Sequence, residues 1–372
     1  MTPLENLLSL YRRHGYETVP VGLHLCPSLV DEFNRRYPAA QGDYLKHFGA
    51  PYRIIYDPGF AWNFDEVFRI PNRDQTDWHR FYPNGFTHEV KFDGWGVAHE
   101  AAPGAHHMTR MHHPLTQASN VKDLENYPWP DFEHLDYSYL EPKVDAIHAD
   151  GFAVFVWAEC TIWETAWYLR GMDNLFVDMG CEDPMATYIL DKICDLACLR
   201  ARKFAEAGVD ILGLGDDVGM QHTIMMSTPM YQQWLKHRLQ KVIQAARAVK
   251  PDILISYHSC GFIEPFIKDL IEAGVDILNP VQPECMDFKE IHAKYGDRLS
   301  FNGTLGTQQL MPLGTPQQVR EEVRKNLDIA GAAGGLFCCP THMLEPEVPW
   351  ENIEAYIDAC KTFKNSFFAC QA

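Results

Sequence analysis

The second half of the chain alternates between short apolar runs and amphipathic stretches, and this order constrains the fold more than any other feature. The phrase Ala-Gly-Val-Asp-Ile-Leu occurs at 207–212 and again at 273–278, each time where a predicted helix ends and a strand begins. Regular alternation of strand and helix is typical of a parallel sheet. The strands that we predict in this half are 152–158, 210–215, 252–258, 276–281, 299–303 and 335–339.

Two weaker strand candidates, at 18–25 and 53–57, bring the set close to the eight strands of a TIM barrel. We therefore predict an α/β fold, a (β/α)₈ barrel formed by one domain over residues 1–372. An open doubly wound sheet would carry a glycine-rich phosphate turn. Residues 213–219 resemble such a turn, but Asp216 and Asp217 would repel a pyrophosphate.

Residues 58–130 do not follow the alternation. This segment is rich in Pro, Gly, Trp and Asn, and pieces such as 87–92 alternate as β-hairpins do. A structureless stretch of this length is unusual inside a compact domain. We expect an N-terminal extension that packs as a cap or extended arm over the barrel.

The charge of the chain limits its partners. It has 32 Lys and Arg against 50 Asp and Glu, a formal net charge of −18, which disfavours nucleic acid and anionic membrane surfaces. No run approaches the roughly 20 apolar residues of a membrane span, and the N-terminus lacks a basic and apolar leader. We expect a cytoplasmic protein with reduced cysteines that acts on small molecules or proteins, with a homodimer left open.

The predicted strands end in polar residues, and in a barrel the active site forms at these C-terminal ends. Each candidate also has a structural explanation: an aspartate could cap a helix, a glutamate could be solvated, and a histidine could be an exposed loop residue. The candidate catalytic residues are Glu159, Asp216, Asp217 and His342. Aromatic residues nearby could stack on a substrate ring or simply belong to the core; they are Trp157, Trp163, Trp167 and Tyr257.

His258 and Cys260 follow the strand 252–258 and stand two residues apart, so their side chains point the same way. Imidazole and thiolate together suit Zn²⁺, and a catalytic zinc site has three protein ligands and one open position. We expect the third ligand to be one of His342, Cys339 or Glu159. The alternative is a buried histidine beside a cysteine that serves as apolar filler.

Over nearly all of its length after residue 90, the chain resembles the uroporphyrinogen decarboxylase superfamily, and within it the corrinoid-dependent methyltransferases. His258-Ser-Cys-Gly261 matches the His-x-Cys part of their zinc motif, and His342 stands where their distant cysteine would align. The arginine-rich segment that the decarboxylases share is missing, and residues 21–27 are apolar instead. The other matching segments are 94–96, 124–131, 166–172, 215–217, 274–282 and 346–352.

The resemblance implies a TIM barrel that binds zinc and moves a methyl group between a small substrate and a corrinoid carried by a partner protein. We expect O-demethylation of a methoxylated aromatic compound, with zinc as the Lewis acid and Glu159, Asp216 or Asp217 orienting the substrate or completing the zinc shell. The alternatives are a methylcobamide:thiol methyltransferase, a metal-free decarboxylase and a scaffold without catalysis.

Overall fold

The computed structural model describes residues 1–59, 70, 71, 73–102 and 109–363. Its core is a curled sheet of seven parallel strands, in which neighbours along the chain are also neighbours in space. These strands confirm the sheet predicted from the alternating pattern. They are β1 (Tyr52–Tyr56), β5 (Ala153–Trp157), β6 (Ile211–Gly215), β7 (Leu254–His258), β8 (Ile277–Asn279), β9 (Ser300–Asn302) and β10 (Leu336–Phe337).

Helices connect the strands, as right-handed parallel crossovers require. Capping begins several of them: Thr2 accepts a hydrogen bond from the Glu5 N–H while the Glu5 carboxylate accepts one from Thr2. The helices are α1 (Pro3–Tyr11), α2 (Pro27–Arg36), α3 (Tyr44–Phe48), α4 (Val121–Glu125), α5 (Leu140–Ala149), α6 (Trp163–Arg170), α7 (Met172–Gly180), α8 (Pro184–Glu206), α9 (Thr228–Tyr231), α10 (His237–Arg247), α11 (Ile267–Ala273), α12 (Phe288–Tyr295), α13 (Leu310–Leu313), α14 (Pro316–Ala330) and α15 (Trp350–Thr362).

One predicted helix differs from the structure. The sequence suggested a single helix over 162–179, but it divides at Gly171, whose φ of 83° is left-handed and ends α6. Glycine adopts this conformation without the steric cost that a Cβ would add. The chain therefore turns between α6 and α7 before the long helix α8 returns along the barrel.

Residues 19–25 are mostly buried but form no strand of the seven-stranded sheet. Leu25 makes one isolated parallel bridge, to Leu344, which also lies outside the strands of the sheet. The flanking hydrogen bonds run from the Cys26 N–H to Leu344 and from the Leu344 N–H to His24. The strand predicted at 18–25 is therefore not formed, apart from the bridge at Leu25, whereas the (β/α)₈ barrel fold with an N-terminal extension is confirmed.

Helix α1 covers the N-terminal end of the barrel. The Gly335 N–H donates to Leu10, and the Ser300 hydroxyl donates to the Tyr11 carbonyl. Leu7, Leu10 and Tyr11 are buried by this contact. The opposite, C-terminal end of the strands is the end that can admit a ligand.

The described part of the segment 58–130 forms an antiparallel sheet of β2 (Val90–Phe92), β3 (Ala98–Ala101) and β4 (Thr109–His112). The segment that contains this sheet packs beside the barrel, against α6 and α8. The Arg170 guanidinium of α6 donates to the carbonyl oxygens of Leu115 and Ala118, and Arg200 of α8 lies over the Trp95 ring, 5.6 Å from its centroid. Residues 60–69, 72 and 103–108 lie outside the described residues, so a cap over the barrel stays a prediction.

Two further properties concern the described residues as a set. None of the described helices combines the length and the apolar character needed to cross a membrane. The cysteines of the described residues are all free thiols.

Candidate active site

A row of residues at the C-terminal ends of the strands forms the polar part of the site. Strand pairing places Gly215, His258, Asn279 and Asn302 at one level, and Glu159 two residues beyond Trp157 reaches the same level. All of these side chains except that of the glycine line one cavity. Gly215 itself leaves room, because a Cβ there would lie 2.4 Å from the His258 carbonyl oxygen.

Asp217, His258 and Cys260 bring three metal-binding atoms together. Their ligand atoms all lie within 4.8 Å of one another. The His258 Nε2 atom is 3.5 Å from the Cys260 sulfur and 3.7 Å from an Asp217 oxygen. Because Gly215 pairs with His258, the residues two places further along each strand, Asp217 and Cys260, also lie opposite each other. The Cys260 N–H donates to the Asp217 carboxylate at 2.7 Å and holds it in place.

A hydrogen-bond chain fixes the orientation of the His258 ring. The Asn279 side-chain N–H donates to the Asn302 carbonyl oxygen at 2.8 Å, so the amide oxygen of Asn279 must face His258. That oxygen lies 2.6 Å from Nδ1, which therefore carries the proton. In the neutral ring Nε2 is then free to act as an acceptor or metal ligand, directed at Cys260 and Asp217.

Two buried glutamates stand beside this cluster. The Glu164 carboxylate accepts hydrogen bonds from the Asp217 N–H at 3.0 Å and from the Tyr168 hydroxyl at 2.9 Å. Burial and then the neighbouring Asp217 and Asp216 raise the pKa of Glu164 to about 8. Burial also raises the pKa of Glu159, which lies 3.8 Å from the His258 Nδ1 atom.

The cluster is suited to a cation. Burial lowers the pKa of His258, but Glu159, Cys260 and Asp217 together raise it well above its ordinary value. Burial raises the pKa of the Cys260 thiol. A divalent metal would bind in place of the protons that His258 and Cys260 otherwise keep, since thiolate, imidazole and carboxylate are all zinc ligands. The donor set thus fits zinc, and the residues that would hold it are Asp217, His258 and Cys260.

The site opens into a cavity of about 640 Å³ inside the barrel. It extends from the donor cluster down to Leu7 and Tyr11 of α1. Among the described residues, no lysine or arginine lines it. Its walls are mainly aromatic and apolar, and the large aromatic side chains are Tyr11, Tyr44, Tyr52, Tyr56, Phe155, Trp157, Tyr168 and Phe337.

The remaining predicted polar residues lie in different environments. Asp216 is buried and accepts hydrogen bonds from the Ile162 and Glu164 N–H groups at the start of α6, so its position favours the capping role over a catalytic one. The Cys339 thiol donates to the Asn302 side-chain oxygen at 2.9 Å. The His342 ring lines the cavity with its centroid 6.3 Å from that of His258.

Asp217 is thus the third residue of the donor cluster, and the choice of His342, Cys339 or Glu159 as a zinc ligand stays a prediction. Asp217 comes from the strand next to His258, whereas His342 and Cys339 follow β10, three strands away from β7. The sequence did mark Asp217 as a residue that could complete a zinc shell. The sequence did not show which polar residues at the strand ends lie next to each other in the register of neighbouring strands.

Of the four predicted aromatic residues, one lines the cavity and three lie outside its wall. Trp157 lines the cavity, where its ring meets that of His24 edge-on with centroids 4.7 Å apart. Trp163 and Tyr257 are 0% and 2% exposed and lie outside the cavity wall, which argues against substrate stacking by either one. Trp167 packs on Tyr168, likewise outside the wall.

Several site residues were not found from the sequence. Asn279 and Asn302 end the observed strands β8 and β9 but lie inside the predicted strands 276–281 and 299–303, so the predicted strand ends did not mark them. Glu164 lies inside a helix, and His24, Tyr11 and Tyr52 lie in the N-terminal part, where no motif marked them. Burial lowers the pKa of His24 to about 4, so it is a neutral part of the wall.

Comparison with known proteins agrees with this geometry. The sequence profile described as uroporphyrinogen decarboxylase (URO-D) matches residues 105–363. A methylated-thiol–coenzyme M methyltransferase of Methanosarcina mazei is 27% identical over 208 residues, which cover 53% of this chain and 50% of that protein. The chain therefore spans about half the length of this relative.

A uroporphyrinogen decarboxylase of Pseudomonas fluorescens is 23% identical over 253 residues, covering 65% of this chain and 68% of that protein. A solved structure of a methyltransferase from Methanosarcina mazei superposes with a TM-score of 0.64 at 16% identity, covering 97% of this chain and 98% of the other. That likeness shows the barrel fold. The chain belongs to the uroporphyrinogen decarboxylase family.

Proposed function

We propose that the protein transfers a methyl group from a small methylated donor, a methoxylated aromatic compound, to a corrinoid carried by a partner protein. The observation that carries this proposal is the position of the Asp217, His258 and Cys260 donor cluster at one end of an aromatic cavity without lysine or arginine among its described lining residues. The aromatic walls favour a flat apolar substrate. The donor cluster stands where the reacting oxygen of such a substrate would lie.

Zinc, when bound, would act as a Lewis acid that withdraws charge from the oxygen from which the methyl group leaves. The residues of the chain prepare this site. Asn279 keeps the proton on Nδ1 of His258, and the Cys260 N–H keeps one oxygen of Asp217 beside the thiol. Glu164 holds the Asp217 backbone from the other side.

Glu159 is placed to hold a proton near the substrate. Its carboxyl group lines the cavity, and burial raises its pKa, which favours the protonated form over an isolated charge. Glu159 therefore keeps its proton to a higher pH than an exposed glutamate. In that form it can offer the proton to the oxygen that keeps the negative charge after demethylation.

The charge of the cavity disfavours the decarboxylase alternative. A uroporphyrinogen carries several carboxylates that need cationic partners, and the described lining residues offer none. The buried acids Glu159 and Glu164 would add repulsion. Thiol methylation remains the second candidate, because the Methanosarcina relative is named for a methylated thiol and coenzyme M. A metal-bound thiol would also use the donor cluster.

The experiment that tests the proposal offers the zinc-loaded protein a Co(I) corrinoid protein and separate methyl donors: methoxybenzenes, methylamines and methylated thiols. We expect the cobalt absorbance to change from the Co(I) to the methyl-Co(III) spectrum with methoxybenzenes and in proportion to bound zinc. Transfer from methylated thiols alone would favour the second candidate. Equal rates with and without zinc would contradict both.

A further inference from the structure

His24 is a polar side chain of the cavity wall that the proposed metal chemistry does not use. It belongs to the segment 22–25, and all four residues of this segment line the cavity. The segment lies within the stretch 21–27, which is apolar where the decarboxylases have their arginine-rich segment. His24 is therefore the one polar side chain on a part of the wall that is otherwise apolar.

The backbone fixes the position of His24. The Leu344 N–H donates to the His24 carbonyl oxygen at 2.8 Å, and the Cys26 N–H donates to the Leu344 carbonyl oxygen at 3.0 Å. These bonds flank the bridge between Leu25 and Leu344. The His24 ring packs edge-on against the Trp157 ring, with their centroids 4.7 Å apart. The imidazole is therefore held against an aromatic wall of the cavity.

The nitrogen atoms of the His24 ring are available to a ligand. The side chain is half-buried, and it lines the cavity. Within the described part of the chain, the ring forms no hydrogen bond to another residue. A neutral imidazole offers one N–H donor and one nitrogen acceptor. The ring can therefore bind a hydroxyl group of a ligand, because a hydroxyl both donates and accepts.

The His24 imidazole favours an uncharged group on the ligand. Burial, and then the neighbouring His342 and His258, lower the pKa of His24 to about 4, so the ring is neutral near pH 7. The described residues that line the cavity include no lysine or arginine. A carboxylate on the ligand would therefore lack a cationic partner on this wall, whereas a hydroxyl group needs none.

His24 and the donor cluster face the same space. His258 and His342 both act on the pKa of His24, so the three rings lie near one another. The rings of His258 and His342 are 6.3 Å apart, centroid to centroid. Glu159, two residues beyond Trp157, lies 3.8 Å from the His258 Nδ1 atom. The wall that holds His24 therefore continues into the donor cluster.

We propose that His24 is a specificity-determining residue, which hydrogen-bonds a hydroxyl group on the aromatic ring of the methyl donor. The substrate class is then an uncharged methoxyphenol, held with its ring against Trp157 and its methoxy group toward the donor cluster. The hydroxyl stands on a ring carbon away from the methoxy group, because the two groups point to different walls. The direction of the substrate rests on the proposed function. The imidazole in the cavity wall stands independently of it.

The test is a binding measurement that needs no corrinoid protein. Isothermal titration of the zinc-loaded protein compares 4-methoxyphenol, methoxybenzene and 4-methoxybenzoate. We expect 4-methoxyphenol to bind about tenfold more tightly than methoxybenzene, which is the effect of one additional hydrogen bond. The benzoate should bind more weakly than methoxybenzene, because its charge meets no cation in the wall.

Variants of His24 locate the effect. His24→Leu removes the ring nitrogens and keeps an apolar side chain against Trp157, so the preference for the phenol should fall below about threefold. His24→Gln keeps a neutral donor and acceptor and should restore part of the preference. His292→Leu is the matched control, because His292 is also half-buried and packs on an aromatic ring, 5.6 Å from that of Phe288, but lies outside the cavity wall. It should keep the full preference.

The outcomes separate this inference from the proposed function. A wild-type protein without a preference for the phenol, a His24→Leu variant that keeps the preference, or tight binding of the benzoate would overturn the inference. If the preference depends on His24 but no methyl group reaches the cobalt, the role of His24 in binding stands and the methyl-transfer proposal fails. If methyl transfer occurs and His24→Leu leaves the choice of substrate unchanged, the function stands and the inference fails.

Discussion

The two ends of the cavity are held in place by different interactions. At the donor end, backbone pairing sets the positions: Gly215 faces His258, His258 faces Asn279, and Asp217 and Cys260 follow at fixed distances. At the inner end, side chains of α1, β1 and β10 pack around a glycine. The reactive groups are therefore fixed by hydrogen bonds of the sheet, whereas the substrate contacts depend on side-chain packing.

Removing one of the three donors should have the largest effect on zinc binding and on methyl transfer. Changing the supporting residues of a metal site costs about 10–100-fold in affinity, and loss of a ligand should exceed about 100-fold. Cys260→Ser should therefore lose zinc and methyl transfer together, as measured by metal analysis and by the cobalt spectrum. The controls are Cys339→Ser and His342→Ala, which should keep zinc at wild-type stoichiometry. Zinc lost from either control, or retained by Cys260→Ser, would contradict the assignment.

Two glycines on the same strand test the two ends separately. A Cβ at position 215 would press on the His258 backbone, and a Cβ at position 213 would lie 2.6 Å from the Phe155 ring. Overpacking typically costs about 1–3 kcal/mol. We expect Gly215→Ala to weaken zinc binding, and Gly213→Ala to weaken binding of methoxybenzenes with zinc binding retained.

Zinc competition with a chelator and isothermal titration of the arene measure these two quantities, and urea unfolding reports the loss of stability of each variant. If both alanine variants changed zinc affinity equally, the two ends would not be independent.

The smallest predicted effect concerns His24, which lies in the wall between the two ends. Its pKa falls from 6.5 to about 4 in the folded protein because burial disfavours its charged form. The unfolded chain therefore binds more protons between these values, and stability is lost as pH falls from 6.5 to 4. His24→Gln should lose less stability over this range, by about 1 kcal/mol because the ring also meets the solvent of the cavity. Unfolding in urea at pH 7 and pH 4.5 measures the difference, and parallel pH profiles would contradict the assignment.

The sequence-based predictions were accurate for features that depend on neighbouring residues and less accurate for contacts between residues distant in the chain. The strands of the second half and the pairing of His258 with Cys260 depend on local alternation, and the structure contains both. The third donor depends on the register between β6 and β7, which relates residues more than 40 positions apart. Trp163 follows a strand closely in the sequence, but in the fold it packs on Phe176 in the core, which the local pattern does not indicate.

The N-terminal part was the least predictable. Residues 19–25 make a single isolated bridge, to Leu344, so their apolar pattern indicates burial but not their neighbours. Tyr11 and Tyr52 look like ordinary core residues in the sequence, because an aromatic side chain in a helix or strand is usually buried. Only the fold shows that both reach the cavity.

The sequence by itself determined the order of strands and helices and the His258 and Cys260 pair, because these follow from periodicity and from residues adjacent in the chain. The family followed from the resemblance of its motifs to known sequences. Tertiary structure alone decided that Asp217 completes the donor cluster and that Asp216 caps α6. It also decided that a cavity extends from the strand ends to α1. The physical reason is that strand register and close packing join residues distant in sequence, and no local pattern records which of them meet.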